Sequence, residues 1–457
     1  MATYSTKRLE EYKKDIYRCI HCKACKFSYS GTPDKKGPGE YKGVLYEGML
    51  KSCPSGINYE WEGYWNAGRV WIARGLLEGT LKPSEAVRDA IYPCNTCGNC
   101  STQCENWIDT VGIIEAVRAT LIEAGIPLQD KHALVKAYTA ERDNPYNREK
   151  EKRMDWAKND EDLAPQLNKE DVKYAYFTGC TASYNQTSIA VATTRLLKKM
   201  GLDFAIREDE VCCGSPFFRV GEIDFAKGLM NRNLEYFGNY EQVIYSCAGC
   251  YRTMSIDYTK HTGKPLPWKP VHAMEIIAKA IADGNITIKG NPELEGKTLT
   301  YHDPCHIGRH IFLERKHALM NKSTNIMADY RQLRDIKSKW FEVPRTILKA
   351  ICEASGATFV EFYRNMEESF CCGAGGGVRS QYADFSLKTA SLRLDEAEAI
   401  KADIVTTECP FCWRNLDDAN TKYNHGLKVM GILEMLDQLD LVEVVNPIEE
   451  ISLDAQE

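Results

Sequence analysis

Hydrophobic and β-branched residues form four short runs that each end at a cysteine. These runs are VKYAYFTGC, QVIYSC, TLTYHDPC and ADIVTTEC. They alternate with longer segments of helix-forming residues such as TSIAVATTRLLKKMG and ADFSLKTASLRLDEAEAIKA. Short β-rich runs that alternate with helical segments are typical of α/β folds, in which functional residues collect at the strand ends. The pattern therefore predicts two α/β domains with cysteines at the ends of their strands.

The N-terminal part of the chain has a different pattern. Helix-forming residues with few helix breakers extend from Tyr59 to Leu77 and again from Pro83 to Ile91, which predicts a mainly helical unit. The aromatic residues of this region are expected to form the core of the helical unit: Trp61, Tyr64, Trp65 and Trp71.

A charged, proline-bearing segment separates these two parts. Residues 141–171, ERDNPYNREKEKRMDWAKNDEDLAPQLNKED, contain few β-branched residues, which favours a connector. We therefore predict a helical unit at residues 1–130, a charged connector at 131–171, a first α/β repeat at 172–296 and a second repeat at 297–445.

Composition narrows the possible functions. The chain has 457 residues and a formal net charge of -6, so it lacks the basic field that drives binding to nucleic acids. It has no run of 18 apolar residues and no apolar signal core at its start, which predicts a cytoplasmic protein without a direct membrane span. In a reducing compartment, 19 cysteines favour metal binding over disulfides.

Eight cysteines lie in the first 104 residues, in the motifs CIHCKAC, SCPSG and CNTCGNCSTQC. A C-x-x-C-x-x-C loop can supply three ligands to a cubane 4Fe-4S cluster, and in two-cluster ferredoxins the fourth ligand comes from the other motif. We assign one cubane to a first quartet of thiols and another to a second quartet. The first quartet is Cys19, Cys22, Cys25 and Cys104, and the second is Cys53, Cys94, Cys97 and Cys100. Paired zinc ribbons are the alternative, but they favour separated C-x-x-C pairs.

Ten of the other eleven cysteines fall into two sets with one order: a single cysteine, a Cys-Cys pair, then C-x-x-C. The first quintet is Cys180, Cys212, Cys213, Cys247 and Cys250, and the second quintet is Cys305, Cys371, Cys372, Cys409 and Cys412. The pair and the C-x-x-C motif are 33 residues apart in one set and 36 in the other, which indicates an internal duplication. The second repeat is expected to carry an insertion of about 30 residues at 312–340.

Five thiolates exceed what one cubane can use, and two adjacent cysteines suit neighbouring irons of a more open cluster. Glycines follow each Cys-Cys pair and allow backbone amides to approach sulfide closely. These are Gly214 in the first set and Gly373, Gly375, Gly376 and Gly377 in the second. Buried core thiols and a zinc site in one copy remain as alternatives.

Three histidines surround Cys305 in the motif HDPCHIGRH: His302, His306 and His310. We favour hydrogen bonding to sulfide, or plain packing, over direct ligation or proton delivery to a leaving thiolate. The remaining cysteine, Cys352, lies in a helical run and is expected to be a buried apolar residue. No GxGxxG motif follows a strand, so no flavin or nicotinamide is expected on this chain.

The duplicated pattern after a helical two-cluster unit resembles the heterodisulfide reductase family, in particular its fused form, known as the D subunit. The motifs HDPCHIGR, CCGAGGG and TECPFC carry the resemblance, which covers residues 10–125 and 172–440. Two departures are the 27 residues between Cys25 and Cys53, where a ferredoxin usually has three, and Glu105 in place of the usual proline. The resemblance implies that each quintet binds a noncubane 4Fe-4S cluster and that a disulfide is split between the two clusters.

This resemblance leads to the expected function. We expect an oxygen-sensitive iron–sulfur oxidoreductase of an anaerobe that carries electrons through two cubane clusters to two noncubane clusters, which themselves form the catalytic site. A small thiol or disulfide, or a protein disulfide, would be the substrate. The expected partners are other redox subunits, either flavin-containing or a membrane cytochrome that holds the chain at the membrane periphery. The alternative is a non-catalytic electron-transfer subunit, as in a class II benzoyl-CoA reductase, a 2-hydroxy acid dehydrogenase or an electron-transferring flavoprotein oxidoreductase.

Overall fold

The computed structural model of the protein describes residues 4–29, 49–322 and 330–453. They form a helical unit followed by two parallel four-stranded sheets, so the predicted α/β fold class is confirmed. The predicted insertion at 312–340 lies partly outside the described residues, and its ends belong to two helices, Ile311–Lys322 and Tyr330–Ser355.

The N-terminal unit is mainly helical, as predicted. Its α-helices are Lys7–Glu10, Lys13–Arg18, Pro54–Tyr59, Asn66–Glu78, Glu85–Ile91, Asn99–Thr102 and Thr110–Glu123, with 3₁₀ turns at Ala24–Lys26 and Glu62–Tyr64. One antiparallel pair joins β1 (Phe27–Tyr29) to β2 (Met49–Lys51). Two helices begin at side-chain caps, where Ser84 accepts from the Val87 amide and Asp109 from the Gly112 amide.

The expectation that all the N-terminal tryptophans are core residues is wrong for two of them. Trp65 is 6% exposed, but Trp61 is 77% and Trp71 is 48% exposed. Helix Asn66–Glu78 buries Val70 and other residues three positions apart. Trp71 follows Val70 directly and therefore points about 100° away from the buried stripe. We predicted burial from the residue type alone, whereas the position of Trp71 around the helix axis decides that its side chain is exposed.

The first repeat is built on the sheet β4 (Phe204–Ile206), β3 (Tyr174–Phe177), β5 (Gln242–Tyr245) and β6 (Lys269–His272), in that spatial order. All neighbouring strands are parallel, and β3 is buried along its whole length, as expected for a parallel sheet covered on both faces. Its helical segments are Cys180–Tyr184, Thr187–Lys199, Ser215–Val220, Ile223–Phe237, Ala248–Arg252, Thr253–Tyr258 (a π-helix), Thr259–Thr262 and Ala273–Ala282. β7 (Ile286–Ile288) follows.

The second repeat has the same topology. Its sheet runs β9 (Thr358–Phe359), β8 (Thr298–Tyr301), β10 (Ile404–Thr406) and β11 (Lys428–Met430), and all pairs are parallel. In both sheets the spatial order is therefore second, first, third and fourth strand of the repeat, which confirms the duplication. Its further helical segments are Pro292–Leu294, His306–His310 (a π-helix), Met366–Glu368, Val378–Gln381, Ala383–Ala399, Pro410–Tyr423 and Ile432–Gln438. β12 (Val442–Val444) closes the repeat.

The two repeats join through their last strands, because β7 pairs antiparallel with β12. Helix Ala273–Ala282 packs on Tyr330–Ser355, and helix Thr187–Lys199 packs on Ile432–Gln438. The segment predicted as a connector contains helical pieces at Asp130–Arg142, Lys150–Lys152, Asp155–Lys158 and Ala164–Gln166. Across the described ranges, no helix is both long and apolar enough to cross a membrane.

Candidate metal centres

All 19 cysteines lie in the described part of the chain, and none of them forms a disulfide there. As predicted, each β-rich run ends just before a cysteine: β3 before Cys180, β5 before Cys247, β8 before Cys305 and β10 before Cys409. Because the strands of each sheet are parallel, these cysteines meet at one edge of it. Cys352 is buried in helix Tyr330–Ser355 as expected.

The first quartet comes together near the surface. Cys19 interacts electrostatically with Cys22 and Cys104, and Cys25 interacts with Cys104 and Cys19. His21 and Lys23 adopt positive φ angles of 58° and 69°, which turn the chain so that the thiols of this loop converge. Cys22 is exposed whereas Cys25 is buried, and burial raises the pKa of Cys25 to about 11.

The second quartet lies deeper and its four thiols line one cavity. Burial raises the pKa of Cys53 to about 12, against the opposing charge of Arg69. Cys100 interacts electrostatically with Cys53, Cys94 and Cys97. Its Sγ lies 2.9 Å from the Thr110 hydroxyl. The structure therefore brings together the same two quartets that the sequence predicts, including the exchange of the fourth ligand. Their binding of cubane clusters remains a prediction.

The first quintet is a continuous network of buried thiols. Side-chain interactions couple Cys180 to Cys212, Cys212 to Cys213, Cys213 to Cys250 and Cys250 to Cys247. A Cβ atom added at Gly179 would lie 3.0 Å from the Cys250 Sγ, so only glycine leaves this space free for the thiols.

The second quintet repeats this arrangement. Side-chain interactions couple Cys371 to Cys372, Cys372 to Cys412 and Cys412 to Cys409, and Cys305 interacts electrostatically with Cys372 and Cys409. Four of these thiols are buried, while Cys305 is half-buried.

Two contacts between sets were not predicted. Cys97 of the second quartet interacts with Cys371 of the second quintet. Cys247 of the first quintet interacts with Cys409 of the second. The sets therefore form a spatial row: second quartet, second quintet, first quintet. The order along the chain hides this arrangement. The first repeat follows the helical unit in the chain, but in space the cysteines of the second repeat lie between those of the helical unit and those of the first repeat.

Glycines of the CCGAGGG motif make the contact with the second quartet possible. The Gly373 amide donates to the Cys371 Sγ at 3.3 Å, as expected for a glycine that supports the thiols. Gly376 has another role, because an added Cβ would lie 2.3 Å from the Cys94 carbonyl oxygen. Its φ of 64° also favours glycine. The motif thus seats the second repeat against the loop that carries Cys94 and Cys97.

Buried arginines, which no sequence pattern predicted, fix this interface. Arg118 donates to the carbonyls of Cys94 at 2.7 Å, Arg219 at 2.7 Å and Gly376 at 2.9 Å, and thus joins all three parts of the chain. Arg309 donates to the carbonyls of Cys97, Glu367 and Ser369. No sequence signal separates these arginines from surface ones, because each partner is a backbone carbonyl distant along the chain.

Arg153 plays a comparable part in the first repeat. It is 1% exposed, pairs with Glu210 at 2.8 Å and donates to the Cys180 Sγ at 3.4 Å. Glu210 in turn accepts from the amides of Thr178 and Gly179, at 2.8 and 2.9 Å. Burial raises the pKa of Glu210 to about 7, although Arg153 and the two amides act in the other direction. The segment predicted as a connector therefore supplies a residue, Arg153, that contacts a thiol of the first quintet.

The three histidines of the second repeat do not share one helix face. His302 follows strand β8, while His306 and His310 lie in the π-helical segment with ring centroids 4.7 Å apart. The ligand atoms of Cys305, His306 and His310 lie within 4.8 Å of one another. The Nε2 atoms of both histidines are buried and have no partner among the described residues. Burial lowers the pKa of His306 to about 4.

These sets fit iron–sulfur clusters. Thiolates are soft ligands that suit iron–sulfur chemistry, and each quintet offers five thiols close together, all of them buried except the half-buried Cys305. Burial raises the pKa of Cys305 well above its usual value, so ionising several such thiols together requires a cation to offset the charge. The unpartnered histidine nitrogens beside Cys305 are consistent with a further polar group in that pocket.

A small cavity lies between the two repeats, next to the second quintet. His272 and Glu275 of the first repeat, Tyr301 and Ile307 of the second, and Phe341 of the long helix are among the residues that line it. His272 interacts with Cys409. Its Nε2 and the Tyr301 hydroxyl are buried without a partner among the described residues. The volume is about 10 Å³, roughly the space of one water molecule.

Comparison with protein families matches both parts of the chain. Residues 15–108 match the 4Fe-4S dicluster domain, and residues 174–255 and 336–417 match the cysteine-rich domain. The second of the latter matches begins after Cys305, inside the long helix.

Similar proteins are redox enzymes or their subunits. The D subunit of the dihydromethanophenazine:CoB–CoM heterodisulfide reductase of Methanosarcina barkeri is 34% identical over 92% of this chain and 93% of its own. The B subunit of the fumarate reductase (CoM/CoB) of Methanothermobacter marburgensis is 27% identical over 94% of this chain and 73% of its own. The EtfAB:quinone oxidoreductase of Syntrophomonas wolfei is 27% identical over 78% of this chain and 46% of its own.

Proposed function

Because the chain belongs to the family of heterodisulfide reductase D subunits, we propose that its two quintets each hold a noncubane 4Fe-4S cluster and together reduce or form a disulfide. Two cubane 4Fe-4S clusters on the quartets complete the proposed cofactor set. When bound, the clusters supply single electrons and the two-electron cleavage or formation of the S–S bond. At the coarser level the chain is an iron–sulfur oxidoreductase whose relatives are named as subunits of reductases.

The observation that carries this proposal is the direct contact between the two complete quintets. The thiols of Cys247 and Cys409 interact with each other, so the two quintets are neighbours and one bound molecule could reach both. A protein that only conducts electrons needs no second complete quintet beside the first. The contact between Cys97 and Cys371 gives the quintets a short connection to the helical unit.

The cavity beside Cys409 is the proposed route for a small disulfide. His272 and Tyr301 offer it two buried hydrogen-bond donors, and both repeats contribute to its wall. A disulfide needs more than about 10 Å³, so entry requires Phe341 and the neighbouring helix to move aside. Only the first part of this helix, up to residue 340, belongs to the predicted insertion, so we propose that the insertion influences access to the cavity through the helix that carries Phe341.

The first quartet is the proposed contact site for a redox partner. Four of the large hydrophobic residues exposed in the described ranges belong to the segments that form its surroundings: Tyr17 and Ile20 flank Cys19 in the chain, Trp71 contacts it, and Trp61 precedes Glu62, which pairs with His21. Trp71 contacts Cys19 and packs 5.2 Å from the His21 ring, measured between centroids. Exposed aromatic residues at one patch are typical of protein interfaces. We infer that another redox protein of the complex, flavin-containing or a membrane cytochrome, docks on this patch.

A second candidate function is that of a non-catalytic electron-transfer subunit. The small volume of the cavity between the repeats favours it, since a closed pocket admits no disulfide. The resemblance to an EtfAB:quinone oxidoreductase is consistent with this role. We retain two further expectations as proposals: a cytoplasmic location, peripheral to the membrane through a partner, and domain boundaries after residues 130, 171 and 296.

One experiment separates the two functions. The full chain is purified without oxygen, and its iron and sulfide are counted with EPR of the reduced protein. We expect about sixteen irons, four for each of four clusters, and reduction of low-molecular-weight disulfides by reduced viologen. About eight irons would contradict the proposed clusters in the quintets. About sixteen irons without any disulfide turnover would favour the electron-transfer role instead.

A further inference from the structure

His302 is the one histidine among the described residues whose ring lies against two thiols of the second quintet. A ring nitrogen of His302 and the sulfurs of Cys372 and Cys412 lie within 4.8 Å of one another. All three residues are buried, and the His302 ring interacts with the Cys372 thiol. The His302 Nδ1 lies 3.2 Å from the Nε of Arg393.

The arginine decides where the proton of the ring resides. A guanidinium group can only donate hydrogen bonds, so the His302 Nδ1 must accept. A neutral imidazole that accepts at one nitrogen carries its proton on the other. The N–H of His302 is therefore on Nε2, and we infer that this N–H is the one that meets the two thiols. A histidine that ligates iron through Nε2 would need a lone pair on that atom, which this arrangement excludes.

Neither partner can readily turn away. Arg393 is fully buried and donates to the carbonyl of Arg364 at 3.0 Å. It is also paired with Glu396, and its guanidinium lies 3.5 Å from the centroid of the Phe362 ring. The backbone of His302 donates to the Thr406 carbonyl at 2.8 Å. The orientation of the ring is thus fixed by packing on both sides.

The duplication supplies an internal comparison. His302 lies three residues before Cys305, and the residue three positions before Cys180 is Phe177. Phe177 is fully buried. Its Cε1 lies 3.8 Å from the position that a Cβ at Gly179 would take, close to the Cys250 sulfur. The first repeat therefore places an apolar ring where the second places a hydrogen-bond donor.

We propose that His302 donates its Nε2–H to a thiolate sulfur of the second quintet and raises the reduction potential of the cluster there, without ligating iron. This inference rests on the proposed function only in requiring a cluster in that quintet. Hydrogen bonds to sulfur stabilise the reduced, more negative cluster and thereby raise its potential. His302 makes the two quintets unequal, since Phe177 cannot donate.

The test compares two variants of the anaerobically purified full chain. His302→Phe installs the residue that the first repeat already accommodates, and His302→Gln keeps an N–H donor. The ratio of reduced to oxidised second-quintet cluster is measured by EPR at the wild-type midpoint potential. We expect about a tenfold fall in His302→Phe, as for the loss of one hydrogen bond to a charged group, and a smaller fall in His302→Gln. His425→Phe, a histidine of the same repeat that contacts Ser391 and Glu398, should leave the ratio unchanged.

A second measurement uses the wild-type protein and therefore does not depend on a variant that folds. Protein labelled with ¹⁵N-histidine is examined by ENDOR in the reduced state. A weak nitrogen coupling to the second-quintet cluster supports the hydrogen bond, and a strong coupling from an iron-bound nitrogen overturns the proposal. A cluster that is present but has the same potential in His302→Phe also overturns it and leaves the proposed function intact. Wild-type protein without iron in this quintet would overturn both.

Discussion

The two repeats share a sheet order and a thiol pattern, yet their quintets have different surroundings. In the first repeat, Arg153 donates to Cys180 and the buried Phe177 ring lies near Gly179. In the second repeat, His302 contacts the thiols and Cys371 contacts Cys97 of the helical unit. Both repeats thus keep the thiols that we propose as cofactor ligands, whereas the residues around them differ. The second quintet faces the proposed electron supply, and the first lies at the far end of the row.

The largest expected difference between the repeats comes from removing one ligand of each quintet. Cys412→Ser and Cys250→Ser should each lower the iron content by about four of about sixteen irons. Because the second quintet lies between the second quartet and the first quintet, only Cys412→Ser should also prevent a redox partner from reducing the remaining quintet. Iron analysis and EPR after partner reduction measure both effects. Cys352→Ala is the matched control and should retain all the iron. If the remaining quintet is reduced to the same extent in both serine variants, the proposed order of electron transfer through the second quintet is contradicted.

The next effect concerns the arginine that supports the first repeat. Arg153→Met leaves Glu210 buried without its charged partner, which should lower the free energy of unfolding by about 3–5 kcal/mol. Urea unfolding of anaerobically prepared protein measures the change. Arg207→Met, which removes a partly exposed pair with Asp209, should cost less than about 1 kcal/mol. If both variants lose a similar free energy of unfolding, the Arg153–Glu210 pair does not stabilise the first repeat more than a surface pair does.

A somewhat smaller effect is expected where the second repeat meets the helical unit. Arg309→Met leaves the carbonyls of Cys97, Glu367 and Ser369 without this donor, at a cost of about 2–3 kcal/mol. The interface should loosen, so amides of residues 94–100 should exchange hydrogen faster. Arg74→Met on the exposed face of the helical unit provides the control. Unchanged exchange in Arg309→Met would show that this arginine does not hold the interface.

The smallest effect on the chain itself is expected at the exposed patch. Trp61→Ala should leave iron content and stability unchanged, because the side chain is 77% exposed. It should weaken binding of the redox partner about tenfold, as is common for a tryptophan at an interface centre. Leu134→Ala, an exposed apolar residue on helix Asp130–Arg142, is the matched control. Titration with the purified partner measures the binding. Equal affinities of Trp61→Ala and Leu134→Ala would contradict the proposed docking patch.

Much of the fold was predictable because its signals are local. Short β-rich runs ending in cysteine predicted strands β3, β5, β8 and β10, and the repeated spacing of the quintets predicted an internal duplication. Tryptophan burial was predicted wrongly for Trp61 and Trp71, since residue type does not reveal that Trp61 lies before a 3₁₀ turn or that Trp71 lies off the buried face of its helix. Among the site residues, the quartet partners Cys53 and Cys104 were predicted correctly as neighbours of the opposite motifs.

The amino-acid sequence by itself determined the inventory of thiols, their grouping into quartets and quintets, and the duplication, because the spacing of ligands is a property of the chain. Only the tertiary structure decided which sets adjoin, which arginines are buried and which residue lies against the Nδ1 of His302. Those features depend on contacts such as Arg118 with Gly376 and Arg393 with His302, between residues far apart in the chain. Such contacts form only when the two sheets and the helical unit pack together, since their partners are mostly backbone carbonyls that have no sequence signature.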